Sequence, residues 1–321
     1  MPAEIIDIRH FEARDFQPLL ASESRTWEKE LHWDFTSSAH IISACLGEKR
    51  LTGYALVKAG RVVGYSFFVN EGIKGLIGDL FVEQEWVDPE ERRMLVEHVL
   101  ETIMATPGLK RVESQLPHFK VEDVGPDFLA RGFEVYPRRF MALDLKQWTG
   151  EDPPSANIWE SLENFTLVPW LRRHDADAAS LLFHTYRRHV DSRINDQYLS
   201  IPGSSRLIES ILHLHGCGEI LPGLSQAAIH LPTGKLAAIL VLTEVRPGTA
   251  HIPQIAVAEE FQGHGLGQAM MQQGFRELVK RGLHEVTLTV TDSNAGAVRL
   301  YERVGFRTFR IFGAYVWEQR D

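Results

Sequence analysis

Three glycines alternate in Gln262-Gly263-His264-Gly265-Leu266-Gly267, directly after the run Gln254-Ile255-Ala256-Val257. A segment follows in which Leu266, Met270, Phe275, Leu278 and Val279 fall near helical spacing. A glycine-rich turn that opens a helix after a strand leaves several backbone N–H groups unpaired and pointing one way, at the positive end of the helix dipole. Such a cradle suits a phosphate or pyrophosphate. The order G-x-G-x-G is not the dinucleotide fingerprint G-x-G-x-x-G, and no Gly-Lys-Ser/Thr follows as in a P-loop. The same glycines would also serve a tight turn in which they only supply positive φ, and the loop alone leaves both readings open.

A second segment carries the argument further. Asn294 to Phe306 reads as a helix capped by Asn294, with Ala297, Leu300 and Tyr301 on a common side and Gly305 at its end. Together the two segments resemble the GNAT superfamily of GCN5-related N-acetyltransferases. The family's loop pattern Q/R-x-x-G-x-G/A is met by Gln262, Gly265 and Gly267. Its pattern N-x-x-A-x-x-L-Y-x-x-x-G-F is met by Asn294, Ala297, Leu300, Tyr301, Gly305 and Phe306. The resemblance covers roughly residues 165–321, and Ala297–Tyr315 looks distantly like the C-terminal run of the tandem-domain mycothiol synthases.

The resemblance implies an acetyl-CoA-dependent N-acetyltransferase in which a primary amine attacks the thioester directly, with acetyl-CoA as co-substrate and no metal. By the same resemblance, Ile255, Ala256 and Val257 would border the pantetheine arm and hydrogen-bond it through the strand edge. Gln262, Gly263, His264, Gly265, Leu266 and Gly267 would hold the pyrophosphate, and Asn294 and Ala297 would contact the cofactor. Tyr301 matches the tyrosine that protonates or hydrogen-bonds the departing sulfur. One departure stands out: Gly263 and His264 occupy positions where many family loops carry Arg or Lys, so binding would lean on amides and the helix dipole.

Direct attack needs a neutral amine, hence a base. His251 shares a strand face with Pro253, Ile255 and Val257 by period two, and it falls where some family members carry a catalytic carboxylate. Its ordinary pKa suits proton transfer near neutrality, in particular through a water; a lone strand histidine is more often a structural one. Glu244 is the competing base, and Glu259 reads as a solvated loop acid. Asp191, Asp196 and Tyr198, in a region that covers the acceptor groove in the family, would hold an ammonium or else form a solvated helix end. Two further functions stay open: a non-catalytic acyl-CoA-binding or sensory module, and a mycothiol-synthase-like acetylation of a small-molecule amine. A peptide acceptor would need an open groove.

The elements that position these residues occur twice. The turn glycines Gly60 and Gly234 lie 174 residues apart, the strand ends Val82 and Val257 lie 175 apart, and the Gly-Phe closures at Gly132 and Gly305 lie 173 apart. Each copy predicts a helical region, hairpin strands and then strand-helix-strand. The fold class is therefore α/β with a mixed, α+β-like sheet: two tandem GNAT-like domains, each a twisted mixed β-sheet flanked by helices. The boundaries drawn are 1–147 for a degenerate N-terminal domain, 148–164 for a Gly- and Pro-broken linker, and 165–321 for the catalytic domain. The first copy is expected to be inactive. In place of the glycine loop it has Glu83-Gln84-Glu85-Trp86-Val87-Asp88-Pro89-Glu90-Glu91, whose five carboxylates would repel pyrophosphate.

Composition narrows the partners. The 321 residues carry 34 Lys+Arg against 43 Asp+Glu, a net charge of −9, with no basic run to hold nucleic acid or an acidic membrane. Arg172-Arg173-His174 and Arg187-Arg188-His189 read as solvated helix faces. No apolar run approaches a bilayer span, and the first residues lack a signal-peptide pattern, so a cytoplasmic location is expected. A monomer is expected, with a dimer open. Cys45 and Cys217 read as buried thiols, and His213-Leu214-His215-Gly216-Cys217 as a strand face with too few ligands for a metal.

Overall fold

The computed structural model describes residues 3–150, 162–213, 217–221 and 223–319, so most of the expected linker lies outside the described residues. In the first copy the strands are β1 (Glu4–Asp7), β2 (Thr52–Lys58), β3 (Arg61–Glu71), β4 (Lys74–Val82), β5 (Arg111–Leu116) and β6 (Glu134–Asp144). Its helices are α1 (Ala13–Leu31), α2 (Thr36–Gly47), α3 (Pro89–Met104) and α4 (Val121–Ala130). In the second copy the strands are β7 (Phe165–Pro169), β8 (Glu219–Ile220), β9 (Gln226–His230), β10 (Lys235–Arg246), β11 (Thr249–Val257), β12 (Glu285–Thr291) and β13 (Arg307–Glu318). Its helices are α5 (Asp175–Tyr186), α6 (Asp191–Ile194), α7 (Ile201–His213), α8 (Leu266–Lys280) and α9 (Ala295–Val304).

The elements themselves repeat at the sequence offset. Both ends of β11 lie 175 residues after those of β4 (249 − 74 and 257 − 82), and the starts of β12 and α9 lie 174 after those of β5 and α4 (285 − 111 and 295 − 121). The compact units nevertheless differ from linear halves. One comprises Met1–Arg138 and Arg310–Asp321, the other Arg139–Phe309. The first unit's sheet runs β1-β2-β3-β4-β5 and is completed by β13, antiparallel to β5 from Gly313↔Leu116 to Glu318↔Arg111. The second runs β6-β12-β11-β10-β9-β7, with β8 also on β10. The closing strand of each repeat has thus changed units.

Each sheet is mixed and covered on both faces, and the strand period does the sorting. In β10, Ala238, Leu240 and Leu242 join the core built with Leu266, Met270, Phe275 and Leu278 of α8 and with Val298 and Tyr301 of α9. The intervening Ile239 and Val241 pack with Ala178 and Leu182 of α5 and with Ile208 and Ile211 of α7. The first unit repeats this layering, with α3 and α4 on one face and α1 and α2 on the other.

Two local expectations are corrected. His213 ends helix α7 instead of lying on a strand, and its Nε2 sits 3.2 Å from Asp175 Oδ2; residues 214–216 lie outside the described residues. Cys45 and Cys217 are free and half-buried, not buried. No helix among the described residues is long and apolar enough to cross a membrane.

Candidate active site

The site begins where two strands part. β11 and β12 run parallel but pair only from Thr249↔Glu285 to Ile252↔Leu288, although β11 continues to Val257 and β12 to Thr291. The next residue is Pro253, which has no N–H to continue the ladder. On its other side β11 stays paired with β10 to Ala238↔Val257, and the Ala258 N–H donates to the Ala237 carbonyl at 2.8 Å. Backbone groups alternate sides along such a strand. Those of Gln254 and Ala256 therefore turn toward β10, and those of Ile255 and Val257 turn into the gap that β12 has left.

The glycine loop closes one end of this gap. Gly263 and Gly265 take φ of 78° and 80°, a region costly for any side chain with a Cβ, and Gly265 is the residue that caps the N-terminus of α8. No side chain caps this end, so the first-turn amides of α8 remain available at the positive end of its dipole. A Cβ at Gly263 would meet nothing within 4 Å, leaving open space in front of the loop. Gln262 anchors the loop to the strand, its Nε2 donating to the Val257 carbonyl at 2.9 Å. On the facing helix, Asn294 Oδ1 accepts the Ala297 N–H at 3.2 Å, and Gly305, at φ 108°, ends the helix.

These pieces line one cavity of about 1400 Å³. It brings together Ile255, Ala256 and Val257 of β11, the whole run Gln262, Gly263, His264, Gly265, Leu266 and Gly267, and Asn294, Ala297 and Tyr301 of α9. Tyr301 is buried; that burial, and next the Asp191 carboxylate, raise its phenol well above the ordinary range, so it is a hydrogen-bond donor at neutral pH. Among the described residues no three His, Cys, Asp or Glu are grouped to hold a metal.

His251 does not line the cavity, and it does not share the face of Ile255 and Val257 as period two predicts: β11 shifts register between His251 and Gln254, so Ile252 takes that face and His251 the opposite one. It is buried in β11 with its ring near Phe140, and its Nδ1 lies 2.9 Å from Thr287 Oγ1. Thr287 Oγ1 also lies 3.2 Å from the Ala250 carbonyl, so one hydroxyl joins the ring to the backbone of β11. Glu244 is used locally: its Oε1 accepts the Gly248 N–H at 2.9 Å and stabilises the β10–β11 turn. Glu259 lines the cavity from the exposed turn before the loop.

The acceptor-side residues are held within the protein. Asp191 accepts from Thr291 Oγ1 and lies 3.4 Å from His189 Nδ1, and Tyr198 donates to Gln254 Oε1 at 2.8 Å. Asp196 begins the short turn that carries Tyr198. None of the three lines the cavity. Residues with no spacing signal line it instead: Tyr186, Arg187, Arg188 and His189 at the end of α5. Tyr186 stacks on Tyr198 at 4.6 Å between centroids and donates to the Ile255 carbonyl at 2.9 Å. Arg187 and Arg188, read from sequence as a solvated face, are exposed yet line the cavity, as does Arg303. The arginines of the cavity thus lie outside the glycine loop, two just after α5 and one in α9.

The first unit repeats the splay without the cradle. β4 and β5 pair only from Lys74↔Arg111 to Ile77↔Ser114, the same stretch 175 and 174 residues earlier. Beyond it, Asp79, at the position of Gln254 (254 − 79 = 175), is buried and accepts the Leu80 N–H at 2.8 Å. The α3 start is closed by its own side chains. Asp88 caps it through the Glu91 N–H, and Lys58 Nζ bonds the Trp86 carbonyl at 3.0 Å and Glu91 at 2.8 Å. Arg61 pairs with Glu83 at 2.7 Å and lies over the Trp86 ring.

Comparison with known proteins accords with this geometry. Residues 212–306 match the family model described as the acetyltransferase (GNAT) family. Over 78 residues, 24% of this chain and 52% of that protein, the chain is 42% identical to the ribosomal-protein-bS18-alanine N-acetyltransferase of Escherichia coli. Over 75 residues, 22% of this chain and 25% of that protein, it is 37% identical to the mycothiol acetyltransferase of Kocuria rhizophila. The chain thus spans about half the length of the first of these relatives and a quarter of the second. A GCN5-related N-acetyltransferase from Sphaerobacter thermophilus has a similar fold, with a TM-score of 0.68 at 17% identity over 99% of this chain and 96% of that one. A tandem GNAT protein from the clavulanic acid biosynthesis pathway aligns over all of both chains with a TM-score of 0.61 at 15% identity.

Proposed function

Since residues 212–306 form a GNAT-family domain, we propose that this chain is an acetyl-CoA-dependent N-acetyltransferase whose single working site is the cavity of the second copy. The observation that carries this reading is the conjunction of an open strand edge at Ile255 and Val257 with an uncapped, glycine-built helix start at Gly265. An extended amide-bearing arm fits the first, and a pyrophosphate fits the second. Arg187, Arg188 and Arg303 add positive charge to the same cavity.

Acetyl-CoA supplies an activated thioester when bound. The chain's part is to hold it and to answer the charges that develop. Gly263–Gly267 amides and the α8 dipole hold negative charge, while Ile255 and Val257 align the arm. Tyr301, raised by burial, is a weaker acid than an ordinary thiol. Its role is therefore to donate a hydrogen bond to the departing sulfur instead of giving up the proton outright. His251 is the proposed base, acting through a water because the ring lies outside the cavity lining. The acceptor is a primary amine, small-molecule or peptide-borne, and the first copy, with its helix start closed by Asp88 and Lys58, binds no cofactor.

The test is calorimetric titration with acetyl-CoA, followed by release of free CoA thiol with a panel of amines. One site per chain and amine-dependent thiol release are expected. Tyr301→Phe should lower kcat by about a hundredfold or more while changing the acetyl-CoA dissociation constant little. Unchanged kcat would remove Tyr301 from the mechanism. Tight acetyl-CoA binding with no turnover on any amine would favour the acyl-CoA-binding module.

A further inference from the structure

Both carbonyls that face the gap in the sheet are already engaged. Tyr186 Oη donates to Ile255 O at 2.9 Å, and Gln262 Nε2 donates to Val257 O at 2.9 Å. These are the groups an extended arm would use, and one donor comes from each side of the gap: the end of α5 and the glycine loop. Each of these carbonyls thus already has a side-chain donor that an arm bonding the same strand edge would have to replace. Tyr186 has a second attachment, since its ring stacks on Tyr198 at an interplanar angle of 20° and Tyr198 in turn holds Gln254.

We propose that Tyr186 is a placeholder for the cofactor arm. In the free protein its hydroxyl occupies the Ile255 carbonyl, and binding of the arm along β11 displaces it. The Tyr186–Tyr198 pair and the end of α5 then loosen from the strand. The inference rests on the reading of the gap as a pantetheine channel, and it adds a coupling within the site: filling the channel releases the Tyr186–Tyr198 pair from β11. The device is a competition for one hydrogen bond, so its size is set by that bond. Removing the competitor should tighten cofactor binding about twofold to tenfold.

The experiment measures the acetyl-CoA dissociation constant of the wild type and of Tyr186→Phe, which keeps the ring and its stacking and deletes only the hydroxyl. Tighter binding by the variant is expected; equal or weaker binding overturns the placeholder role. Independently of any variant, hydrogen–deuterium exchange of the wild type with and without acetyl-CoA should show faster exchange over residues 183–189 and slower exchange over 262–268. Slower exchange over both segments, the ordinary effect of a ligand, also overturns it. A wild type that binds no acetyl-CoA refutes the cofactor reading itself. Wild-type binding with either contrary result refutes the placeholder alone.

Discussion

Gly265→Ala and Gly267→Ala make the same chemical change two residues apart, and the geometry assigns them opposite outcomes. Gly265 has φ 80° and caps α8, whereas Gly267 lies inside the helix, where an added Cβ would stand 3.4 Å from Val257 Cγ2 and 3.8 Å from Ile255 Cδ1, both ordinary contacts. Forcing alanine into the left-handed region costs about 1–2 kcal/mol, and alanine is also a poorer N-cap by roughly 0.5–1.5 kcal/mol. At 267 alanine should gain about 0.5–1 kcal/mol of helix propensity. For a unit of this size each kcal/mol moves the melting temperature by about 2–4 °C. Gly265→Ala should therefore melt about 3–14 °C lower, and Gly267→Ala about 1–4 °C higher. Acetyl-CoA titration should show a dissociation constant raised about tenfold by Gly265→Ala, equivalent to about 1.4 kcal/mol of lost loop contact, and little changed by Gly267→Ala. Scanning calorimetry and titration on both variants check this. If Gly265→Ala melts and binds like the wild type, or Gly267→Ala loses binding to the same degree, the backbone cradle is not what holds the cofactor.

The remaining predictions concern titrating groups. His251→Gln keeps a hydrogen-bonding amide beside Thr287, so the fold should survive; if His251 takes the proton, kcat/KM falls about a hundredfold or more. A rate within a few-fold of wild type would make His251 structural. In the first unit, Glu23 is fully buried, accepts from Tyr65 Oη at 2.8 Å and shares that hydroxyl with Asp79 at 3.3 Å. Burial first, and then Asp79, hold the Glu23 carboxyl well above its usual range. A raised folded-state pKa favours the fold below the unfolded value and loses that contribution as pH rises through the folded one. Thermal melts of Glu23→Gln should thus match wild type most closely near pH 4 and exceed it increasingly toward neutral and alkaline pH. Parallel pH dependences for the two proteins would show that Glu23 is not protonated in the fold.

Much of the site was determined by local sequence, because its physics is local. Whether Gly263 and Gly265 can take positive φ and whether Asn294 can cap α9 are decided within a few residues, and these features read directly. The duplication is legible for the same reason, since each repeat carries its own turn glycines and strand pattern. Tertiary structure alone decided the rest. Tyr186 lies 69 residues from the carbonyl it holds (255 − 186), and helical periodicity sets which way a side chain faces without saying which strand it meets. Arg187 and Arg188 looked like any solvated helix end until the fold placed that end beside the glycine loop. His251 shows the converse. Period two puts it on the face of Ile255 and Val257, but a register shift between His251 and Gln254 turns it to the opposite face, and its burial against Phe140 and its bond to Thr287 depend on β12 and on β6, whose residues from Arg139 onward group with the second unit. That last assignment was beyond sequence, because β6 and β13 are corresponding strands of a repeat. When two segments carry equivalent patterns, only the packing of the finished units selects which sheet each one completes.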